Sequence, residues 1–233
     1  MPSNTPLTDA INALTQYANE TTGASDTTLS DAVGTLVAGY GGGGGSGDIF
    51  EFSAGNINAL IFHTAVVTTD YTDNQDALYV IKLKGGTAVN YEHFFGESTT
   101  GNTARTGIQR NGTSSTKLTM LTRAGLNASY SITTNLNNDV VLMAGRPGAE
   151  GTVSTTLPLL IGGGYYQGSQ ENQKSNMTFY GLNIIGTNNQ YIARFMPWLE
   201  GSTPCVKELI SDSLYYATSG TLGYIDKNGT VHN

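Results

Sequence analysis

TFYGLNIIGTNNQYIARF, Thr178 to Phe195, is two strand-sized runs split by a polar turn. Phe179, Tyr180, Ile184 and Ile185 before the turn, and Tyr191, Ile192 and Phe195 after it, are aromatic or β-branched residues that suit a pleated, half-buried surface. Gly186-Thr-Asn-Asn189 between them is built from residues that favour turns. The same grammar recurs upstream in Ala77–Leu83, Lys117–Thr122, Ser129–Ile132, Asp139–Met143 and Leu157–Ile161. Many strands at short intervals, with no long helical interruption, predict an antiparallel β-sandwich or jelly roll. Only Val206–Leu214, following Pro204, reads as a short helix.

The period changes ahead of these strands. Leu7, Ile11, Leu14 and Tyr17 form one helical stripe, and Leu29, Val33, Leu36 and Val37 form a second, opened by Ser25 or Asp26 as an N-cap. Helices of about 12 residues are marginal alone in water, so these stripes need cover from each other or from other copies. GYGGGGGSGD, Gly39–Asp48, then places seven glycines in ten residues between helix and strand. A phosphate-binding loop needs a strand before it and a helix after it, and a Lys near its end. Here the order is reversed and the Lys is missing, so the stretch reads as a joint. The predicted organisation is a helical attachment or oligomerisation segment at 1–38, a Gly-rich linker at 39–48 and a β-sandwich at 49–233.

Composition agrees with a β-rich chain. Only 12% of the 233 residues are charged, the net charge is -7, and Gly is abundant at 30. An acidic balance without a Lys/Arg cluster argues against nucleic acid as a partner. No apolar run is long enough to span a bilayer, and MPSNTPLTDA has neither the basic start nor the apolar centre of a signal peptide. The expectation is therefore synthesis in a bacterial cytoplasm without membrane insertion. Cys205, the single cysteine, reads as a small packed hydrophobe.

The C-terminal third carries a resemblance. Phe179-Tyr-Gly-Leu-Asn-Ile-Ile185, then Ala193-Arg-Phe-Met-Pro197, then Leu214-Tyr-Tyr-Ala-Thr-Ser-Gly-Thr-Leu-Gly-Tyr224, resemble in order and spacing the closing segment of concanavalin A-like, laminin-G-like modules of phage and prophage structural proteins. Pro204-Cys-Val-Lys-Glu208 departs from the family's Gly-Leu-Tyr-Asp segment. Thr28–Tyr40 followed by glycines is similar to short helical lead-ins of such virion proteins. The resemblance implies a non-enzymatic fibre, tail-tip or head-decoration protein. Such a protein is expected to be made in the bacterial host cytoplasm and assembled into the virion, with a lectin-like domain for receptor or carbohydrate binding. It also implies attachment to other virion proteins, and a homotrimer, through Leu7, Ile11, Leu14, Leu29, Val33 and Leu36. Two alternatives stay open: a purely architectural decoration protein without a glycan ligand, and a glycan-degrading depolymerase of the same fold.

Catalytic signals are sparse. Sandwich glycosidases need two facing carboxyl groups roughly 5–9.5 Å apart, and the E-x-D-x-E triplet that would align them on one strand face is absent from the sequence. Glu92, Glu97, Glu150 and Glu171 read as solvated turn carboxylates. The sequence has no G-x-S-x-G, and His63, His93 and His232 stand in no motif pairing them with a nucleophile.

Binding signals are richer. Asp70, Asp73, Asn74 and Asp76 gather oxygen donors suited to Ca²⁺, with an Asx-rich structural turn as the competing reading; no other cofactor is expected. Trp198 offers a flat ring near a strand end, and Gly162-Gly-Gly-Tyr165-Tyr166-Gln167 through Asn172 offers glycines beside aromatic and amide groups. Tyr91 and His93 flank a third candidate. Aromatic faces suit sugar C–H surfaces. Each candidate has a structural counterpart: Trp198 closing the core, the Gly-Tyr run as a connector, His93 as a packed strand end.

Overall fold

The burial of β1 (Ala59–Thr72) changes phase halfway along. Leu60 and Phe62 face the core in its first half, but Ala65 and Val67 do so in its second. One residue has been inserted into a period of two, and Thr64, at φ 49°, is where it happens. Such a bulge bends the strand and keeps apolar side chains inward while the partner strand changes.

The computed structural model describes residues 52, 55–72, 77–89, 92–97, 107–110, 116–121, 129–145, 158–164, 174–186 and 190–233. The predicted helical segment at 1–38, with its six apolar attachment residues, and the linker at 39–48 lie outside this set. The other strands are β2 (Leu78–Gly85), β3 (His93–Glu97), β4 (Gly107–Arg110), β5 (Lys117–Leu121), β6 (Ser129–Thr133), β7 (Val140–Gly145), β8 (Pro158–Ile161), β9 (Ser175–Ile185), β10 (Tyr191–Glu200), β11 (Thr203–Glu208), β12 (Leu214–Tyr215), β13 (Ala217–Ile225) and β14 (Val231–His232). The described residues are thus mainly β, with no helix among them, and every pairing between these strands is antiparallel. No described helix is long and apolar enough to cross a membrane.

Two long strands branch the sheet. One edge of β1 pairs with β13, while the other pairs first with β9 at Leu60–Ala65 and then, past the bulge, with β8 at Val67–Thr72. β9 pairs along one edge with β2 and on the other with β1 at Ser175–Phe179, then with β10 at Leu182–Ile185. From β8 the path continues through β3, β4, β5 and β6; from β10 it continues through β11 and β12, and β7 lies outside β2. Strands expected at 77–83, 117–122, 129–132, 139–143, 157–161, 178–185 and 190–195 correspond to β2 and to β5–β10.

The core is aromatic and links strands that do not hydrogen-bond to each other. Tyr79 of β2 stacks on Phe95 of β3 with centroids 5.6 Å apart and rings 18° from parallel. Tyr71 of β1 meets Tyr79 and Phe195 edge-on, and Phe62 meets Phe179 in the same way across the paired strands β1 and β9. Edge-to-face and offset pairs of this kind add about 0.5–1.5 kcal/mol each beyond their buried area.

One expectation is overturned. Val206–Leu214 is not a short helix but the end of β11, a turn, and the start of β12. Phe195 to Glu200 hold β11 in register opposite β10, and the Glu208 carboxylate then accepts the amides of Ile210 at 3.0 Å and Ser211 at 2.5 Å. A side chain that collects the next amides stops the chain from forming helical i→i-4 bonds.

Candidate functional site

Glu92 precedes β3, where the apolar pair Phe94-Phe95 drives the strand inward. The carboxylate is carried in with it: Glu92 is 0% exposed and Arg110, at the end of β4, is 1% exposed. Glu92 is therefore no solvated turn carboxylate, contrary to the expectation from sequence. Its Oε1 pairs with Arg110 Nε, and its Oε2 accepts the Asn176 amide at 2.9 Å. The Arg110 amide bonds back to the Glu92 carbonyl at 2.8 Å, its guanidinium reaches Gly86 O at 3.4 Å and stands 5.8 Å from the centre of the Phe94 ring. Burial pushes the Glu92 carboxyl up to about 7, against the pull of the Asn176 amide and of Arg110. Desolvation disfavours the charged form, and here it outweighs the nearby cation.

Asn176 joins this pair to the branch point of the sheet. Its side-chain oxygen accepts the Thr64 amide at 2.9 Å, its Nδ2 donates to Thr87 O at 3.1 Å, and its carbonyl accepts the Gly86 amide at 2.8 Å. The bulge amide, which has no ladder partner, is thereby satisfied.

His93 and the glycine run, two of the predicted ligand groups, come together but point inward. His93 is 1% exposed. A Cβ on Gly164 would stand 2.5 Å from the His93 ring, and one on Gly163 would stand 2.8 Å from Val66. Gly162–Gly164 are buried, and Gly162 exchanges backbone bonds with Phe94 and Ser175, each 2.9 Å. Their lack of side chains serves close packing of backbone on core. Tyr165, Tyr166, Gln167, Asn172 and Tyr91 lie outside the described residues.

Trp198 sits within β10, opposite Cys205 of β11, rather than at the strand's end. It is half-buried and does not belong to the main core. Lys207 lies over its ring at 4.4 Å and reaches the exposed Asp212 at 2.5 Å. A second cation, Arg194, lies over Tyr191 at 4.4 Å on the same strand. β10 therefore presents two rings, each covered by a cation, an arrangement that stiffens long side chains beside an aromatic surface.

The remaining described carboxylates with specific partners have structural ones. Burial raises Glu208, but the hydrogen bonds from Ser211, the Arg194 amide at 2.8 Å and Ile210 outweigh it and hold the carboxyl below its ordinary value. Asp226 accepts the amides of Asn228 at 2.9 Å and Thr230 at 2.8 Å and faces His232 at 3.2 Å, closing the β13–β14 turn. Of the Ca²⁺ candidates, Asp70 is exposed and lies in β1 rather than in a turn. Asp73, Asn74 and Asp76 lie outside the described residues, and no cluster of three metal-ligating acidic, His or Cys side chains occurs among the described ones.

Arg110 and Asn176 were missed from sequence. A usable signal existed for the first: Gly107-Ile-Gln-Arg110 puts one charge at the end of an apolar strand, and a buried charge needs a partner. No protein family, curated protein or solved structure matches the chain.

Proposed function

We propose that the chain is a non-enzymatic virion protein of a phage or prophage, whose β-domain is a concanavalin A-like sandwich displayed toward a bacterial surface glycan. The observation that carries this reading is the placement of the three segments behind the resemblance. Phe179–Ile185, Ala193–Pro197 and Leu214–Tyr224 fall on β9, β10 and β12–β13. The stacking of Tyr79 on Phe95 between non-adjacent strands favours two layers facing across one core, as a sandwich requires. Of the described residues predicted to meet a ligand, Trp198 and His93, it is Trp198 that keeps access to solvent, with Lys207 beside it.

The depolymerase alternative draws less support. Glu92, Glu208 and Asp226 are held by Arg110, by backbone amides and by a turn, which are roles in stability rather than in acid–base chemistry. Attachment through the N-terminal stripes and a homotrimer remain parts of the proposal resting on the sequence; it requires no cofactor, and the Asx-rich stretch from Asp70 to Asp76 is read as a structural turn, with Ca²⁺ as the alternative.

A glycan array probed with the full chain, beside mass spectrometry of purified particles, tests it. Binding that falls with Trp198→Ala, together with incorporation into particles, is the expected result. Incorporation without glycan binding would leave the architectural reading, and release of reducing ends would revive the enzyme.

A further inference from the structure

β7 closes one end of the described sheet. It pairs with β2 alone among the described strands, from Leu78↔Gly145 to Leu83↔Val140, and its second edge meets no described strand. Leu142 and Ala144 face the core, so alternation turns Val141 and Met143 to the outer face. There they stand 42% and 48% exposed. An apolar side chain exposed singly is ordinary, but two neighbours on an open strand edge mark a place where another strand can add.

Edge strands are commonly guarded by Lys, Pro or an inward charge. Val140-Val-Leu-Met-Ala-Gly145 has none of these. The charges beside it are drawn toward β9: Tyr180 donates its hydroxyl to Asp139 at 2.9 Å, and Lys82, opposite Val141, lies over the same ring at 5.2 Å. A basic or acidic partner strand would call for a charged edge, and this one is neutral. A second copy calls for the opposite, because chains of net charge -7 repel each other and approach best along a seam without carboxylates. β7 is also complementary to itself. Laid antiparallel about Leu142, it sets Val141 of each copy opposite Met143 of the other on the outer face, and Asp139 opposite Gly145 rather than another carboxylate.

We propose that β7 pairs antiparallel with β7 of a second copy, joining two β-domains into one continuous sheet about a two-fold axis. The pairing closes, since each copy contributes the same edge once. Six residues a side is short beside the roughly 20–30 of a standard interface, so the pair should separate on dilution. The pairing stands apart from the glycan reading, and it doubles whatever assembly the N-terminal stripes make.

Sedimentation equilibrium of the full chain over a dilution series tests this, with Val141→Lys and Met143→Lys as separate variants. At the concentrated end the wild type should have twice the mass of either variant, and it should fall to theirs on dilution. A wild type no heavier than the variants at any concentration overturns the proposal, and so does one that grows past the doubling, since the edge would then not close. Hydrogen exchange of the wild type alone guards against a variant that fails to fold. The edge-facing amides of 140–145 should exchange about tenfold slower at the concentrated end than at the dilute end, while the amide of Leu182 is unchanged. Equal exchange at the two ends overturns the pairing as well. A blank glycan array bears on neither measurement, so the two readings fail separately.

Discussion

Asn176 and Glu92 meet where three strands would otherwise end in unpaired polar groups: the Asn176 amide donates to the Glu92 carboxylate at 2.9 Å. The same carboxylate pairs with Arg110 in a site that solvent does not reach. An ion pair removed from water gains from mutual attraction but loses hydration, and the balance is decided by the additional hydrogen bonds. Here the Asn176 amide supplies one to the carboxylate and the Gly86 carbonyl one to the guanidinium.

The first prediction is a pH dependence with a defined sign. The Glu92 carboxyl lies at about 7 in the fold against an ordinary 4.5, so the native state holds a proton that the unfolded chain releases across this window. Stability from this group is fully present below about pH 4.5 and is lost as pH rises through about 7. Urea unfolding at a series of pH values should show a decline on the order of 3 kcal/mol attributable to this group. Glu92→Gln, which stays neutral, should flatten it; a curve of unchanged slope would count against the assignment.

Arg110 should be costlier to lose alone than together with its partner. Arg110→Met removes the bond to Gly86 and leaves a buried carboxyl without its cation, at a cost of about 3–5 kcal/mol. The double variant Glu92→Met with Arg110→Met should recover part of that loss, because neither group is then stranded. Chemical denaturation of the four proteins in the cycle gives the coupling directly. Additive losses would mean that the contact contributes no coupling.

Glycines at positive φ separate two kinds of cost. Gly162 has φ +77° and Gly220 φ +70°, and a Cβ would stand 2.4 Å from Phe62 Cδ1 at the first and 2.3 Å from Thr64 O at the second. Gly201 has φ +61° with nothing within 4 Å. Alanine at 201 should therefore cost only the left-handed conformation, about 1–2 kcal/mol. Alanine at 162 or 220 adds a clash with both sides of the β1 bulge and should cost several-fold more. Thermal melts of the three variants rank them, and equal shifts would show that the bulge yields easily.

These positions also show what the sequence could and could not reveal. Phe179–Ile185 and Tyr191–Phe195 announce their strands, because aromatic and β-branched runs between polar turns have few other uses. The branching did not show. It depends on Thr64, an ordinary residue in an apolar run, and on Asn176, whose four bonds reach positions scattered from Thr64 to Glu92. Glu92 was misread for the same reason, since its partner lies on another strand and local composition around a carboxylate does not reveal a distant cation. The glycine run at 162–164 was visible as a special stretch, but glycine serves both exposed loops and tight packing, and only the neighbouring His93 and Val66 tell which.

Cys205 gives the last prediction. Its side chain is buried opposite Trp198, and burial pushes the thiol up to about 11, with the Glu200 charge adding to the rise and the Glu200 backbone hydrogen bond and Lys207 opposing it. The thiolate is the reactive species, so the native protein should be silent toward an aromatic disulfide reagent at neutral pH. Thiol released in denaturant should titrate as one equivalent per chain, since the sequence has a single cysteine. In the native state the labelling rate should follow the opening of β10 from β11, and variants that weaken this pair, such as Glu208→Gln, should raise it. Glu208 is held below its ordinary value by the amides it accepts, so its contribution is present above the ordinary carboxylate range and is lost as pH falls through its lowered value. The increase in labelling caused by Glu208→Gln should therefore be largest near neutral pH and shrink under acid. A native thiol that reacts as fast as the denatured one would show that this face of β10 and β11 is open to solvent.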